Sequence, residues 1–309
     1  MGKTAFLLAG QGSQHPGMGR ELYESSKTVR EVFDEAEKIR PGTLRQMFEG
    51  SDEELKRTSN TQPCLFLADL AAALSLRENG VAPDMIAGFS LGEVAGLALS
   101  GIMDEMSAFR LVIKRGLLMD EAARRIDGGM LAVLRMDAGE LEEMCEEIGV
   151  YPVNYNCPGQ IVVSGAADKI SELQIALSLK KVRCISLAVS GPFHTPYMKS
   201  ASNSLRDELK GGGYFIKSSD TDIYSNKAAS VYPKEKGEII DLISGQISNS
   251  VRWEDTLRNM AGAGADTFIE CGPGNVLSGF VKRTCPGAKI FNVSDTETLE
   301  TALEALRYA

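Results

Sequence analysis

The chain has 309 residues, of which 43% are hydrophobic and 24% are charged, and its formal net charge is −9. This composition is typical of a globular protein, and the length allows one large domain or two smaller ones. Because binding to phosphates requires clustered Lys and Arg, the acidic balance argues against a protein that binds nucleic acid.

The sequence does not indicate a membrane protein. No apolar run reaches the roughly 18 residues that a transmembrane helix needs. The N-terminal run 4–9 lacks a charged flank and a cleavage site, so it predicts a first strand and not a signal peptide. The six cysteines are scattered, without a CxxC pair, which favours reduced thiols over disulfides or a zinc site. We therefore expect a cytoplasmic protein without a bound metal.

The first part of the chain alternates between strands and helices. Apolar spacing and turn residues predict strands at 4–9 and 85–89 and helices at about 27–40, 62–79, 91–100 and 105–125. Asp104 is expected to cap the last of these helices. Gly10-Gln11-Gly12-Ser13-Gln14 follows the first strand directly and predicts a tight turn.

The middle of the chain changes character over about 60 residues. It predicts strands at 130–136, 151–156, 160–165 and 182–189 and helices at 138–148 and 167–180. The order β-α-β-β-α-β is typical of a ferredoxin-like unit. We predict that this unit, residues 128–190, begins at a Gly128-Gly129 hinge and is inserted into a larger domain of residues 1–127 and 191–309.

The last part returns to the alternating pattern. It predicts helices near 195–210, 235–249 and after 293, and strands at 222–225, 267–270 and 289–293. Alternation on both sides of the insertion indicates an α/β fold with a mostly parallel sheet. Gly272-Pro273-Gly274 is interpreted as a turn between a strand and a helix.

A candidate nucleophile lies between the strand at 85–89 and the helix that follows it. Gly88-Phe89-Ser90-Leu91-Gly92 has the Gly-x-Ser-x-Gly pattern of a nucleophile elbow, in which the serine hydroxyl is exposed at a helix N-terminus. The N–H group of the next residue is then free to bind an oxyanion. The five-residue pattern is common by chance, but its place after a strand favours a catalytic serine over a surface turn.

Serine becomes a nucleophile only when a base removes its proton, and the chain has two histidines. His194 lies at the exit of the predicted insertion, where a cleft between domains is common. It is therefore the candidate base, with a buried structural histidine as the alternative. His15, beside Pro16, predicts a turn histidine. No Asp or Glu is indicated as a third member, and a neutral carbonyl could orient the imidazole instead.

Arg115 lies on an otherwise apolar stripe of its helix. Burial of an arginine is costly unless an anion meets it, and its planar fork matches a carboxylate in a bidentate way. We predict that Arg115 binds a substrate carboxylate, with an internal ion pair as the alternative. Asn154 and Asn156 share one face of a strand and either line the cleft or support the hairpin.

Together these features resemble the bacterial malonyl-CoA:acyl carrier protein transacylases of fatty acid synthesis, and also the acyltransferase domains of polyketide synthases. The resemblance covers nearly the whole chain. Its motifs are GQGSQ at 10–14, GFSLGE at 88–93, Arg115, NxNxPGQ at 154–160, GPFH at 191–194, Gln246 before VRW at 251–253, and ExGPG at 270–274.

The resemblance implies a role for each motif. Ser90 would carry the acyl group, with His194 as its base. The backbone N–H groups of Gln11 and Leu91 would form the oxyanion hole, and the main-chain carbonyl of Gln246 would orient His194. The family's fold is an α/β-hydrolase-like large domain with a ferredoxin-like insertion, in agreement with the predicted elements.

The resemblance also implies a substrate. Arg115 would pair with the free carboxylate of a malonyl group, and Phe193 matches the malonyl-selecting form of its motif. The family usually has histidine just before the serine, where this chain has Phe89. The expected substrates are malonyl-CoA and phosphopantetheinylated acyl carrier protein, with no metal or redox cofactor, and we expect a monomer.

The carrier protein of this family is usually acidic, so its docking needs a basic patch. The candidates are Lys180, Lys181 and Arg183, or Lys282 and Arg283, although a solvated charge run explains either group equally well. Two other functions use the same residues: a thioesterase, and a partner-binding protein without activity. The sequence does not distinguish fatty acid synthesis from loading of a polyketide synthase, and fatty acid synthesis is favoured as the commoner role.

Overall fold

The structure, a computed structural model, describes residues 2–187, 189 and 191–307. The strands are β1 (Lys3–Leu8), β2 (Met85–Gly88), β3 (Gly128–Leu134), β4 (Tyr151–Cys157), β5 (Gln160–Ala166), β6 (Arg183–Ser186), β7 (Asp222–Tyr224), β8 (Ala265–Cys271) and β9 (Lys289–Val293). The helices are α1 (Arg20–Ser25), α2 (Lys27–Ile39), α3 (Thr43–Glu49), α4 (Asp52–Lys56), α5 (Thr58–Glu78), α6 (Gly92–Leu99), α7 (Glu105–Ala123), α8 (Ala138–Ile148), α9 (Ala167–Leu179), α10 (Lys199–Lys210), α11 (Lys236–Gln246), α12 (Trp253–Gly262), α13 (Val276–Thr284) and α14 (Thr296–Arg307).

The larger sheet has five strands in the order β7-β2-β1-β8-β9, and every pairing in it is parallel. Alternate residues of β1 belong to two different cores. Phe6 and Leu8 pack in the core that includes α5, α6 and α7, whereas Ala5 and Leu7 pack in the core that includes α12 and α13. Helices therefore cover both faces, as a parallel sheet requires. The predicted α/β fold with a parallel sheet is confirmed.

The smaller sheet is antiparallel and has the strand order β4-β5-β3-β6. Helices α8 and α9 pack against it through a separate hydrophobic core. Counted within this unit, the strands lie in the order 2-3-1-4, the arrangement that a βαββαβ chain adopts in a ferredoxin-like fold. The predicted second fold unit is therefore present.

Val251, which follows α11, pairs with strand β4 of the smaller sheet. Its N–H group donates to the carbonyl of Val153 at 2.7 Å, and its carbonyl accepts from the N–H group of Tyr155 at 2.9 Å. Strand β4 is thus tied to the segment that follows α11. This contact places the asparagines of β4 beside the carboxyl ends of the larger sheet.

The structure places the predicted hinge at Gly128-Gly129 inside a strand. Both residues begin β3, where they pair with Ala166 and Gly165. A Cβ atom on Gly128 would lie 2.4 Å from Cδ of Pro192, so this glycine permits a close approach and does not provide a hinge. The division into domains at 128 and 190 stays a prediction.

Two further differences concern the end of the inserted unit and the number of helices. The strand predicted at 182–189 is shorter, Arg183–Ser186. Residue 188 of that prediction and the predicted boundary at 190 lie outside the described residues. Helices α1, α3, α4 and α12 were not predicted. Within the described ranges, no helix combines the length and the apolar character needed to cross a bilayer.

Candidate active site

Ser90 lies in the sharp turn between β2 and α6. Its φ angle is 51°, in the left-handed region that residues with a side chain rarely occupy. The flanking glycines make the turn possible. A Cβ atom on Gly88 would lie 1.9 Å from the carbonyl carbon of Gly92, and one on Gly92 would lie 2.3 Å from the carbonyl oxygen of Leu8. The geometry is that of a nucleophile elbow, with the serine hydroxyl exposed at the start of a helix.

His194 is the histidine that meets Ser90. Its Nε2 atom lies 2.8 Å from Ser90 Oγ. Its Nδ1 atom lies 3.1 Å from the main-chain oxygen of Gln246 and 3.2 Å from that of Asn249. Because carbonyl oxygens only accept hydrogen bonds, Nδ1 carries the proton and Nε2 is left to accept from the serine. The structure thus brings Ser90, His194 and the carbonyl of Gln246 together, with Asn249 as a second carbonyl that sequence reasoning missed.

The environment of His194 favours the neutral imidazole. Burial, and secondly the positive charge of Arg115, lower the pKa of His194 to about 4, although the two carbonyl hydrogen bonds act in the opposite direction. An imidazole with this pKa is unprotonated at neutral pH. It can therefore accept a proton from Ser90 at the start of a reaction cycle.

Arg115 projects from α7 to the same hydroxyl. It is 2% exposed, and its Nη2 atom donates to Ser90 Oγ at 3.2 Å and to Gln246 Oε1 at 2.8 Å. Burial lowers the pKa of Arg115 to about 10, and the charge of Glu93 opposes this shift, so the guanidinium stays charged at neutral pH. Among the described residues Arg115 forms no ion pair, which leaves its charge available to an anionic ligand.

A cavity of about 80 Å³ opens in front of these three residues. Its lining combines predicted site residues with apolar side chains and one further amide: Gln11, Gln62, Phe89, Ser90, Leu91, Arg115, Met119, Met130, Asn154, Leu187, Val189, Phe193 and His194. Gln62, Met119 and Met130 were missed by the sequence analysis. Gln62 offers a buried Oε1 atom without a partner among the described residues. Only its polarity within the apolar helix α5 could have indicated it.

The predicted oxyanion donors also lie at this cavity. Leu91 stands at the N-terminus of α6, and Gln11 lies in the turn after β1. Within the described part of the chain, neither backbone N–H group donates a hydrogen bond. Both are therefore free to bind an oxygen that becomes negative beside Ser90.

Asn154 and Asn156 line a second cavity of about 210 Å³, which shares Gln11, Phe89, Asn154 and Leu187 with the first. Both asparagines are buried, and their Oδ1 atoms have no partner among the described residues. Because they share these residues, the two cavities adjoin one another. Of the two readings of these asparagines, the structure shows side chains that line the cleft.

Phe89 lines both cavities with an apolar ring. Its centroid lies 5.2 Å from that of Trp253, edge to face, and 6.1 Å from that of Phe280. These contacts anchor the residue before the serine by packing. Since the ring offers no hydrogen-bonding group, it presents only apolar surface to the cleft.

Asn226, which follows β7, forms side-chain hydrogen bonds to the backbone on both sides of the elbow. The sequence did not indicate this residue. Its Oδ1 atom accepts from the Ser90 N–H at 2.6 Å, and its Nδ2 atom donates to the Gly88 carbonyl at 2.6 Å. Its own N–H donates to Glu93 Oε2 at 3.1 Å. The only sequence signal is its position just after a strand that ends beside β2.

His15 lies apart from this cluster. It is exposed, and its ring nitrogen Nδ1 lies 3.0 Å from the carbonyl of Pro16, which fits the predicted turn histidine. The Gly272-Pro273-Gly274 segment lies between β8 and α13, where the sequence predicted a turn. Across the described ranges, no cluster of His, Cys, Asp and Glu is suited to hold a metal ion.

The acyl transferase domain family matches residues 5–301. The chain is therefore an acyltransferase by family and by its α/β fold.

Similar proteins identify the family of acyltransferases to which this chain belongs. The malonyl CoA-acyl carrier protein transacylase of Bacillus subtilis is 40% identical over 99% of this chain and 98% of its own length. The crystal structure of the malonyl CoA-acyl carrier protein transacylase from Clostridium perfringens superposes with a TM-score of 0.94, at 34% identity, over 99% of this chain and 98% of that chain. This chain belongs to the malonyl CoA-acyl carrier protein transacylase family.

A third similar structure contains a partner. It is a type II polyketide synthase acyl-carrier protein in complex with its malonyl-transacylase. That transacylase is 33% identical to this chain, with a TM-score of 0.93 over 98% of this chain and 99% of that chain.

Proposed function

We propose that this protein transfers a malonyl group from malonyl-CoA to the phosphopantetheine thiol of an acyl carrier protein, through an ester on Ser90. The observation that carries the proposal is that one oxygen atom, Ser90 Oγ, lies within hydrogen-bond distance of both His194 Nε2 and Arg115 Nη2. The first contact supplies a base for the nucleophile. The second places a buried positive charge where the far end of a short dicarboxylic acyl group would lie.

The first half of the reaction forms the ester. Ser90 gives its hydroxyl proton to His194 Nε2, and Oγ attacks the thioester carbonyl carbon. The oxyanion that develops is held by the backbone N–H groups of Gln11 and Leu91; the loss of one such donor typically costs about 3 kcal/mol of transition-state stabilisation. As the carbonyl re-forms, the carbon–sulfur bond breaks, and His194 returns the proton to the sulfur of the departing CoA.

The second half reverses these steps with a different thiol. The phosphopantetheine thiol gives its proton to His194 Nε2, and its sulfur attacks the ester carbonyl. When the carbon–oxygen bond breaks, the proton returns to Ser90 Oγ. Both half-reactions are completed by side chains and backbone groups of this chain, so the proposal requires no metal and no redox cofactor.

A carbonyl, not a carboxylate, orients His194 in this scheme. The imidazolium that forms in each half-reaction is stabilised by the oxygens of Gln246 and Asn249 and is opposed by the nearby charge of Arg115. Less stabilisation of the imidazolium suits a reactive thioester, which needs a weaker base than an amide does.

A basic surface concavity supports a docking site for the acyl carrier protein. The two basic groups proposed from the sequence meet at one concavity of about 720 Å³, which is lined by Arg135, Lys180, Lys181, Arg183 and Arg283 among others. Lys282 does not line it. The Arg283 Nη1 atom lies 3.3 Å from Gln160 Oε1, and Gln160 lines the second cavity, which adjoins the one at Ser90. We propose that an acidic carrier protein docks at this concavity.

Charge reversal tests the docking surface. Arg183→Glu should raise the KM for the carrier protein and leave the KM for malonyl-CoA unchanged, while Lys27→Glu, at an exposed position of α2, serves as the control. Equal effects of the two variants would place the carrier protein elsewhere.

The distinction from a hydrolase rests on the product. When malonyl-CoA and holo carrier protein are both present, the proposal predicts that malonyl-carrier protein accumulates faster than free malonate. Predominant release of free malonate would show instead that water resolves the ester. We further propose a cytoplasmic role in fatty acid synthesis, which predicts that a fatty-acid carrier protein accepts the group faster than a polyketide one.

A further inference from the structure

The side chain of Gln246 lies between two buried ionisable side chains, those of Arg115 and Glu93. Its Oε1 atom accepts a hydrogen bond from Arg115 Nη2 at 2.8 Å, and its Nε2 atom donates to Glu93 Oε2 at 3.1 Å. All three side chains are buried. Among the described residues the guanidinium and the carboxylate form no direct ion pair, because the amide stands between them.

The orientation of this amide is fixed by the groups around it. A guanidinium only donates hydrogen bonds and a carboxylate only accepts them, so the oxygen of Gln246 must face Arg115 and its nitrogen must face Glu93. The nitrogen also donates to the main-chain oxygen of Ser90. The carboxylate is itself held, since Glu93 accepts from the hydroxyl of Tyr232 and from the N–H of Asn226.

The separation affects what Arg115 can bind. A direct bidentate pair with Glu93 would turn the guanidinium away from Ser90 and neutralise it. With the amide between them, the guanidinium stays 3.2 Å from Ser90 Oγ, while the nearby carboxylate still offsets part of the cost of burying its charge. Consistent with this, the charge of Glu93 acts to raise the pKa of Arg115, against the effect of burial.

We propose that the Gln246 side chain is a specificity-determining spacer, which keeps Arg115 apart from Glu93 and directed at the substrate carboxylate. The role is separate from that of the Gln246 main-chain carbonyl, which orients His194. It rests on the proposed malonyl transfer and explains how the enzyme prefers an acyl group that ends in a carboxylate.

The test compares malonyl-CoA with acetyl-CoA, which lacks that carboxylate. Gln246→Met removes the amide but keeps the main-chain carbonyl. It should lower the ratio of kcat/KM for malonyl-CoA to that for acetyl-CoA by at least about tenfold, mainly through the KM for malonyl-CoA, because Arg115 can now pair with Glu93. The double variant Gln246→Met/Glu93→Gln removes the competing carboxylate. Its kcat/KM ratio should therefore be at least about threefold higher than that of Gln246→Met.

Gln46 provides a matched control. It also joins an arginine to a glutamate, accepting from Arg40 Nη1 at 2.9 Å and donating to Glu54 Oε1 at 3.0 Å, but it does not line either cavity. Gln46→Met should therefore leave the ratio unchanged. An equal fall for both acyl groups in Gln246→Met would overturn the spacer role, as would a double variant with no recovery.

Two further measurements keep the proposal testable. If Gln246→Met does not fold, the single variant Glu93→Gln is measured instead, because its remaining side-chain oxygen can still accept a hydrogen bond from Gln246. The ratio of kcat/KM for malonyl-CoA to that for acetyl-CoA should not fall in this variant. A tenfold fall would overturn the spacer role. Mass spectrometry of the wild-type enzyme separates this outcome from failure of the proposed function, because absence of a malonyl adduct on Ser90 would overturn both.

Discussion

Replacement of Arg115 by alanine should convert a malonyl-selective enzyme into one that no longer prefers malonyl. The guanidinium is buried, lies 3.2 Å from Ser90 Oγ, and forms no ion pair within the described part of the chain. In a malonyl ester of Ser90, the free carboxylate is one methylene beyond the ester carbonyl. It would therefore lie close to the guanidinium, whereas an acetyl ester has only a methyl group there.

The size of the effect follows from this contact. At an effective dielectric constant of about 20, two unit charges about 4 Å apart attract by about 4 kcal/mol. Since about 1.4 kcal/mol corresponds to a tenfold change in rate, the attraction is equivalent to about a thousandfold in kcat/KM. Desolvation of the incoming carboxylate reduces this value, so we expect a loss of about 100- to 1000-fold for malonyl-CoA.

The assay measures kcat/KM for malonyl-CoA and acetyl-CoA with the same holo carrier protein. Arg115→Ala should affect acetyl transfer much less than malonyl transfer, and could raise it. Arg115→Lys keeps the charge but loses the planar fork, so its malonyl loss should be smaller. Arg110→Ala, at an exposed position of α7, is the control for changes in the helix. Equal losses for both acyl groups would refute a carboxylate-binding role.

Three further predictions concern pH, the elbow and a buried acid. Burial and the charge of Arg115 lower the pKa of His194 to about 4, so the acylation rate should stay constant through the usual histidine range and fall only as the pH approaches 4. Because Arg115→Ala removes one cause of that lowered pKa, the fall should move to higher pH in the acetyl reaction. Asn226→Ala removes two hydrogen bonds to the elbow, so it should lower the free energy of unfolding by about 1–3 kcal/mol. It should also lower kcat similarly for both acyl groups. A selective loss of malonyl transfer would contradict a role of Asn226 in positioning the elbow. Burial raises the pKa of Asp69 well above its usual value, so the folded state holds a proton that the unfolded chain releases; stability from this group is present at low pH and is lost as the pH rises. As the pH rises above the unfolded-state pKa value of about 3.9, urea unfolding should show a flatter decline for Asp69→Asn than for the wild type, by up to about 1.4 kcal/mol per pH unit. Equal slopes would contradict a raised pKa of Asp69 in the folded state.

The elements with strong local signals were predictable from the sequence. The strand at 289–293 coincides with β9, and Asp104 caps α7 by accepting from the Ser107 N–H as expected. Short or uncapped helices were missed. Helix α4 has only five residues, and α12 begins at Trp253 without a side-chain cap. Gly128 looked like a hinge because the sequence does not show Pro192 packed against it.

The residues of the candidate active site also differ in how far the sequence could predict them. The elbow is a local motif, and with two histidines in the chain the choice of base was narrow. Asn226 contacts Ser90 across 136 positions, and only the pairing of β7 with β2 brings them together. The Gln246 side chain and the second carbonyl at Asn249 are likewise far from the serine in sequence, whereas Gln62 is nearer, on α5. Such partners depend on strand order and helix packing, which periodicity does not specify.

The central claim is that Ser90 carries the acyl group between two thiols. Brief incubation of the enzyme with malonyl-CoA alone, followed by acid quench, digestion and peptide mass spectrometry, tests it directly. The account predicts a malonyl ester on the peptide that contains Ser90, its absence in Ser90→Ala, and its loss when holo carrier protein is added, with the malonyl group recovered on that protein. A wild-type enzyme that forms malonyl-carrier protein without any acylated Ser90 would contradict the account.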